Sequence, residues 1–208
     1  MPSPRRGAVT AAELMQELED RYRSDPEYRA TVDRREAEHR ARREELERAE
    51  RPLVADLQAA GIPADSAWEL YEYPELGETA YPLLLKHLRL AYPDRILEGI
   101  ARAFTKDVVR RHWQELLNIY LTDGRTEVRD GLGATLSGCA VRTHYADLVA
   151  IVENEALGES RIYFLRPVNR IGNRMGAGAG RKVIERFTND PQLGTEATRI
   201  LQGRGRNE

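Results

Sequence analysis

The chain has 208 residues, of which 41% are apolar and 32% charged, enough for one or two folding units and too few for several large domains. A formal net charge of −2 directs the molecule as a whole toward neither a polyanion nor an acidic surface. The single cysteine, Cys139, excludes an intrachain disulfide and suits a reducing, cytoplasmic compartment. The sequence is expected to carry neither a signal peptide nor a membrane span, because no apolar run reaches the length that either needs.

Residues 1–60 read as a charged helical extension. Ser24 or Asp25 is placed to cap a helix, with Pro26 at its first position. From Asp33 to Arg51 there are seven acidic and seven basic side chains. Val32, Leu46 and Leu53 fall on one heptad line, but His39 interrupts it and Arg35 and Arg42 occupy the other seam, which argues against a two-stranded coiled coil. The reading is a solvated helix held by i, i+4 ion pairs, with an arm that docks a partner or a second copy as the alternative. The oligomeric state stays open. Pro52 is expected to end or kink the helix. After it, "LVADLQAAGIPADSAWELYEYPEL" is expected to form an irregular cap in which Trp68, Leu70 and Tyr71 close the open end of the C-terminal helices.

Residues 61–208 are organised by a period. Tyr81, Trp113 and Tyr145 are 32 residues apart, and each is followed at +3, +4 and +7 by Leu84, Leu85, Leu88; by Leu116, Leu117, Tyr120; and by Leu148, Val149, Val152. Each set is one face of an amphipathic helix. Val183, Ile184 and Phe187 repeat the offsets from Gly180, without the aromatic. A second helix follows in each unit, "ILEGIARAF", "VRDGLGATL", "RIYFLRPVNRIGN" and a short "TEATRIL" that ends in "GRGRNE". The units run roughly over 78–107, 110–140, 143–173 and 180–203, and a period of this length marks a row of stacked helix pairs. Pro167 is expected to kink or split the third second-helix, and "MGAGAG", 175–180, reads as a flexible break. Gly99 and Gly131 stand at equivalent places and each costs about 1 kcal/mol of helix propensity relative to alanine, so close approach of a neighbouring helix is expected at both.

The unit "WQELLNIYLTDGRTEVRDGLGATLSGCA" resembles a HEAT repeat, with a match that is good over 81–140, weaker over 141–173 and weakest over 174–203. The resemblance implies an all-α, right-handed α-solenoid of about four helix pairs, with second helices lining the concave side. It implies no chemistry, since such arrays are mostly binding surfaces, and it makes Asp123 and Arg129 structural contacts between units.

Chemistry is sparse in the sequence. Glu98 and Asp130 would come to equivalent places on stacked helices with Arg102 one turn beyond, a conceivable carboxylate pair that is more simply a polar ladder. His112 and His144 each precede the aromatic of a first helix; a metal would need a third ligand that is not visible, and exposed histidines are expected. Cys139 and His144 lack an orienting group, and "GAGAG" lacks the frame of a phosphate loop. No catalytic residue, metal or cofactor is assigned. The functional clue is a basic pole: residues 161–206 hold ten Lys/Arg against three Asp/Glu. Arg166, Asn169, Arg170 and Asn173 form one helical stripe, followed by Arg174, Arg181 and Lys182. On the concave side this stripe would grip an acidic protein partner or, as the alternative, the phosphates of a nucleic acid.

Overall fold

The computed structural model describes residues 10–203; the first nine residues and the last five, which include most of the expected "GRGRNE" end, lie outside the described residues. The described residues are helical, with no strand among them, and none of their helices is long and apolar enough to cross a membrane. The chain divides into two compact units, Met1–Arg48 and Ala49–Glu208.

In the first unit, α1 (Ala11–Ser24) opens with a capping box: the Glu13 amide donates to Thr10 Oγ1 at 3.2 Å while the Thr10 amide donates to Glu13 Oε2 at 2.8 Å. Asp25 caps α2 (Pro26–Ala59), accepting the Glu27 and Tyr28 amides at 3.0 Å each. The Arg21 guanidinium lies 4.5 Å from the centre of the Tyr28 ring. No residue of α1 is buried.

The expectation that Pro52 ends or kinks α2 is not met as a terminus, because the helix continues to Ala59. Proline removes one backbone hydrogen bond and crowds the preceding turn; here the turn after it buries Leu53 and Leu57 completely, and that packing holds the helix on. In the segment beyond Ala59, Glu50 Oε1 accepts the Ala67 amide at 2.7 Å, and Leu70 is buried. Tyr71, expected to help close the end, is 74% exposed and does not.

Helix pairing in the second unit follows the period. The helices are α3 (Gly77–Leu88), α4 (Asp94–Arg102), α5 (Lys106–Arg111), α6 (Trp113–Thr122), α7 (Thr126–Cys139), α8 (Tyr145–Glu153), α9 (Ile162–Met175), α10 (Ala179–Glu185) and α11 (Gly194–Leu201). α3 packs on α4, α6 on α7, α8 on α9 and α10 on α11. The second members are also in succession, α4 on α7 and α7 on α9, with α10 and α11 both against α9. α5 was not anticipated as a separate helix; it buries Val108 and Val109 and touches α3, α6 and α7.

The aromatic beat has a repeated physical cause. The Tyr81 ring stacks on His112 with centroids 3.9 Å apart, and its hydroxyl donates to Glu115 Oε2 at 2.5 Å. One period later, Trp113 stacks on His144 at 3.7 Å and its indole N–H donates to Asp147 Oδ2 at 2.7 Å. Each aromatic thus joins its own unit to the histidine and the carboxylate that open the next. The contact is why His112 and His144 recur, and it overturns their reading as exposed: His144 is buried and His112 partly so. The Val141 amide donates to His144 Nδ1 at 3.3 Å, and burial holds this imidazole below the usual histidine range, so His144 is a neutral stacking surface.

A second beat runs through arginines. Arg129 donates to the Asp123 carbonyl at 2.9 Å and Arg161 to the Val152 carbonyl at 3.1 Å, each caging the end of the preceding first helix. Beside the first, the Arg125 guanidinium holds the Asp123 carboxyl below the usual carboxylate range and donates to the Leu88 and Leu90 carbonyls at the end of α3. Asp123 and Arg129 thus make structural contacts within their own unit, and the side chain that reaches the preceding unit is Arg125.

Pro167 neither splits nor ends α9, which is unbroken from Ile162 to Met175 and buries Phe164, Leu165, Val168 and Ile171. The glycine-rich stretch is likewise more than a break. Gly178 adopts φ +73° to start α10, and Gly180 lies directly against the backbone of Asn169 and Val168 in α9.

Candidate functional site

The carboxylate pair does not assemble into a reactive centre. Arg102 Nε binds Glu98 Oε1 at 2.9 Å, so Glu98 is held in an ion pair. Asp130 has no cation within salt-bridge distance among the described residues; burial, and then the Glu98 charge, raise its pKa. A carboxyl whose folded pKa lies above its unfolded value favours folding when protonated and loses that contribution as pH rises through the folded value. Asp130→Asn is therefore expected to stabilise the protein at neutral pH by about 0.5 kcal/mol, roughly 1–2 °C in Tm, with the gain shrinking in acid. A melting series against pH checks this, and a variant less stable than the parent at neutral pH would contradict it.

Nor do the described residues hold any group of three or more His, Cys, Asp or Glu side chains placed to bind a metal ion. Cys139 is partly buried and burial raises its thiol pKa, which leaves it a poor nucleophile.

The basic stripe separates into two populations. Arg166 binds Glu196 at 2.7 Å, and Arg181 binds Glu185 at 3.1 Å and also donates to the Leu201 carbonyl. Asn173 donates to Asn169 Oδ1 at 2.9 Å and accepts the Arg181 amide at 3.1 Å, so the two asparagines tie α9 to α10. These residues make contacts within the unit, Arg166 and Arg181 as exposed ion pairs and Asn169 and Asn173 through their amides. Lys182 is exposed, has no carboxylate partner among the described residues, and lies outside the cavity that the remaining arginines line.

Arg170 and Arg174 are different. They line a cavity of about 410 Å³ with Lys106 and Arg110 of α5 and with Arg142, just after α7. None of these five cations has a carboxylate within salt-bridge distance among the described residues, and no carboxylate lines the cavity. Its remaining wall is small or apolar: Gly138, Ala140, Val141, Ile171 and Met175. Arg110 is oriented by its Nε–H, which donates to the Cys139 carbonyl at 3.2 Å.

No family model matches this chain, and no curated protein or solved structure matches it either. The site is therefore defined by its geometry.

Two of the five residues, Arg170 and Arg174, were among the candidates read from the sequence. Lys106, Arg110 and Arg142 were missed. Lys106 and Arg110 do carry a signal, since a four-residue spacing sets them on one helical face. What the sequence lacks is any sign that this face meets the end of α9. The junction depends on how α5, α7 and α9 pack, and α5 falls outside the period.

Proposed function

We propose that this chain is a non-catalytic interaction module, a right-handed α-solenoid of about four HEAT-like helix pairs, that binds an acidic segment of a protein partner through its basic C-terminal pole. The solenoid reading is supported by the pairing of successive helices, by the succession of second helices from α4 through α7 to α9, and by the repeated Tyr81–His112 and Trp113–His144 stacks. The observation that carries the binding reading is the group of five cations around one cavity with no carboxylate among its lining residues. Cations held together without counter-charges repel one another, and a ligand of opposite sign relieves that repulsion as it binds.

A nucleic-acid duplex calls for a track of free cations along its backbone. Arg161, Arg166, Arg181 and Arg186 interrupt such a track, because each is paired with a carboxylate within the unit. The reading of a protein partner is therefore preferred. Fluorescence anisotropy across a salt series tests it with a glutamate-rich peptide and a short DNA duplex. The peptide is expected to bind with a clear salt dependence and to be released by Arg170→Glu with Arg174→Glu. Tighter binding of the duplex, with a steep salt slope abolished by the same double variant, would replace this reading with the nucleic-acid one.

A further inference from the structure

The pairing habits of the second unit bear on what the cavity accepts. Elsewhere in this unit each acid meets one or two cations: Glu98 meets Arg102, Glu153 meets Arg186, and Glu196 is shared by Arg166 and Arg199. Around the cavity five cations gather with no acid among the lining residues. Asp107 shares α5 with Lys106 and Arg110, but it is exposed, does not line the cavity and has no salt bridge there. One carboxylate would leave most of that charge unmatched. A phosphate monoester carries about −1.5 to −2 charge and three acceptor oxygens, and the planar guanidinium fork pairs with two of them at once.

We propose that the cavity between α5, the end of α7 and the end of α9 is a phosphate-binding site, taking a phosphate monoester carried by the protein partner. The inference rests on the acidic-partner reading and names the chemistry of the acid. Arg170 and Arg174, one helical turn apart on α9, face the anion from one side; Lys106 and Arg110, one turn apart on α5, face it from another; Arg142 supplies a third direction. Three backbone elements approaching one volume define a point, which suits a compact anion better than an extended polymer. The cavity, at about 410 Å³, exceeds the space a phosphate group needs. The excess lies against Val141, Ile171 and Met175, an apolar wall for the carbon chain that bears the ester. All five cations are exposed, so their attraction for a charged ligand is weakened by salt.

The experiment uses the full chain and four probes: inorganic pyrophosphate by calorimetry, and immobilised α-casein, enzymatically dephosphorylated α-casein and a short DNA duplex by surface binding. Pyrophosphate is expected to bind the parent, to lose at least tenfold in affinity to Arg170→Gln with Arg174→Gln, and to change less than twofold in Arg166→Gln, whose parent side chain is already paired. Arg142→Gln gives a second reading from a separate element, with a loss also expected there. Helical content by circular dichroism identifies any variant that fails to fold. Casein is expected to bind and its dephosphorylated form to bind at least tenfold more weakly.

Each other outcome decides something. Failure of pyrophosphate to bind, or equal binding to the double variant, overturns the phosphate site. Equal binding of the two caseins, lost in the double variant, also overturns it while leaving the acidic-partner reading standing. Pyrophosphate binding without casein binding upholds the phosphate chemistry, assigns it to a free small anion and overturns the protein-partner reading. Preference for the duplex over both caseins overturns the monoester in favour of a nucleic-acid backbone.

Discussion

Replacing Arg161 with methionine is expected to destabilise the protein by about 3–5 kcal/mol, the usual cost of breaking a buried ion pair from one side. The side chain is only 2% exposed, yet its guanidinium is fully engaged. Nε donates to the Gly158 carbonyl at 2.9 Å, Nη1 to the Val152 carbonyl at 3.1 Å and to Asp190 Oδ2 at 3.2 Å, and Nη2 to Gln192 Oε1 at 2.9 Å. One residue thereby joins the end of α8, the turn before α9 and the loop before α11. Methionine fills much of the same volume but leaves the buried Val152 carbonyl and the largely buried Asp190 carboxylate without their donors.

The pH dependence sharpens this expectation. Burial works against the Asp190 charge, but the Leu193 and Gln192 amides and then Arg161 prevail and hold its pKa below the usual carboxylate range. A carboxyl with a depressed folded pKa contributes stability that is present above its unfolded pKa and is lost as pH falls through the folded value. The gap between parent and Arg161→Met is therefore expected to be full at neutral pH and to narrow in acid. Denaturant melts at several pH values measure both. A cost below about 1 kcal/mol, within the range of an ordinary single hydrogen bond, would remove Arg161 from its place as the tie between α8, α9 and the α11 loop.

Arg161 also shows where the sequence is informative and where it is silent. It stands one period after Arg129, and the all-helical class, the paired helices and the buried apolar faces all follow from side chains recurring at fixed offsets. Those features are local, since a helix face depends on spacing within about ten residues. The partners of Arg161 lie elsewhere, at Asp190 and Gln192, in a stretch where the period has faded. The cation-lined cavity is non-local in the same way. Arg170 and Arg174 are visible as a stripe, but their separation from Arg166 depends on Glu196, which sits on another helix and neutralises one arginine of the row. Charge composition located the basic pole and could not show which of its charges are already spent. Both helices continue past their proline for a related reason: propensity weighs the lost backbone hydrogen bond, whereas the tertiary contacts of Leu53, Leu57, Val168 and Ile171 decide whether the helix goes on.

The glycines give the second large effect, and they separate positions that the sequence treats alike. Gly180→Ala is expected to destabilise by more than about 2 kcal/mol and Gly131→Ala by roughly 1–3 kcal/mol, both in the range of overpacking, although alanine is intrinsically the better helix former by about 1 kcal/mol. Gly99→Ala is expected to be nearly neutral. A methyl group at Gly180 would overlap the Asn169 carbonyl oxygen and lie 2.8 Å from both Asn169 Cα and the Val168 carbonyl oxygen, all backbone of α9. At Gly131 it would meet Ala101 Cβ at 2.5 Å and the Glu98 carbonyl oxygen at 3.0 Å, where α4 crosses α7. In both places two helices must move apart. At Gly99 the obstacle is the Trp68 indole, 2.7 Å away, a side chain 37% exposed at the edge of the unit and able to swing outward. The close helix approach expected at Gly99 and Gly131 alike thus holds at Gly131 alone, and Gly99 is covered by an aromatic lid. Thermal melts of the three alanine variants test the order Gly180, Gly131, Gly99. If Gly99→Ala proved as costly as Gly131→Ala, Trp68 would be a fixed part of the packing, and α4 would be as tightly constrained on that side as it is against α7.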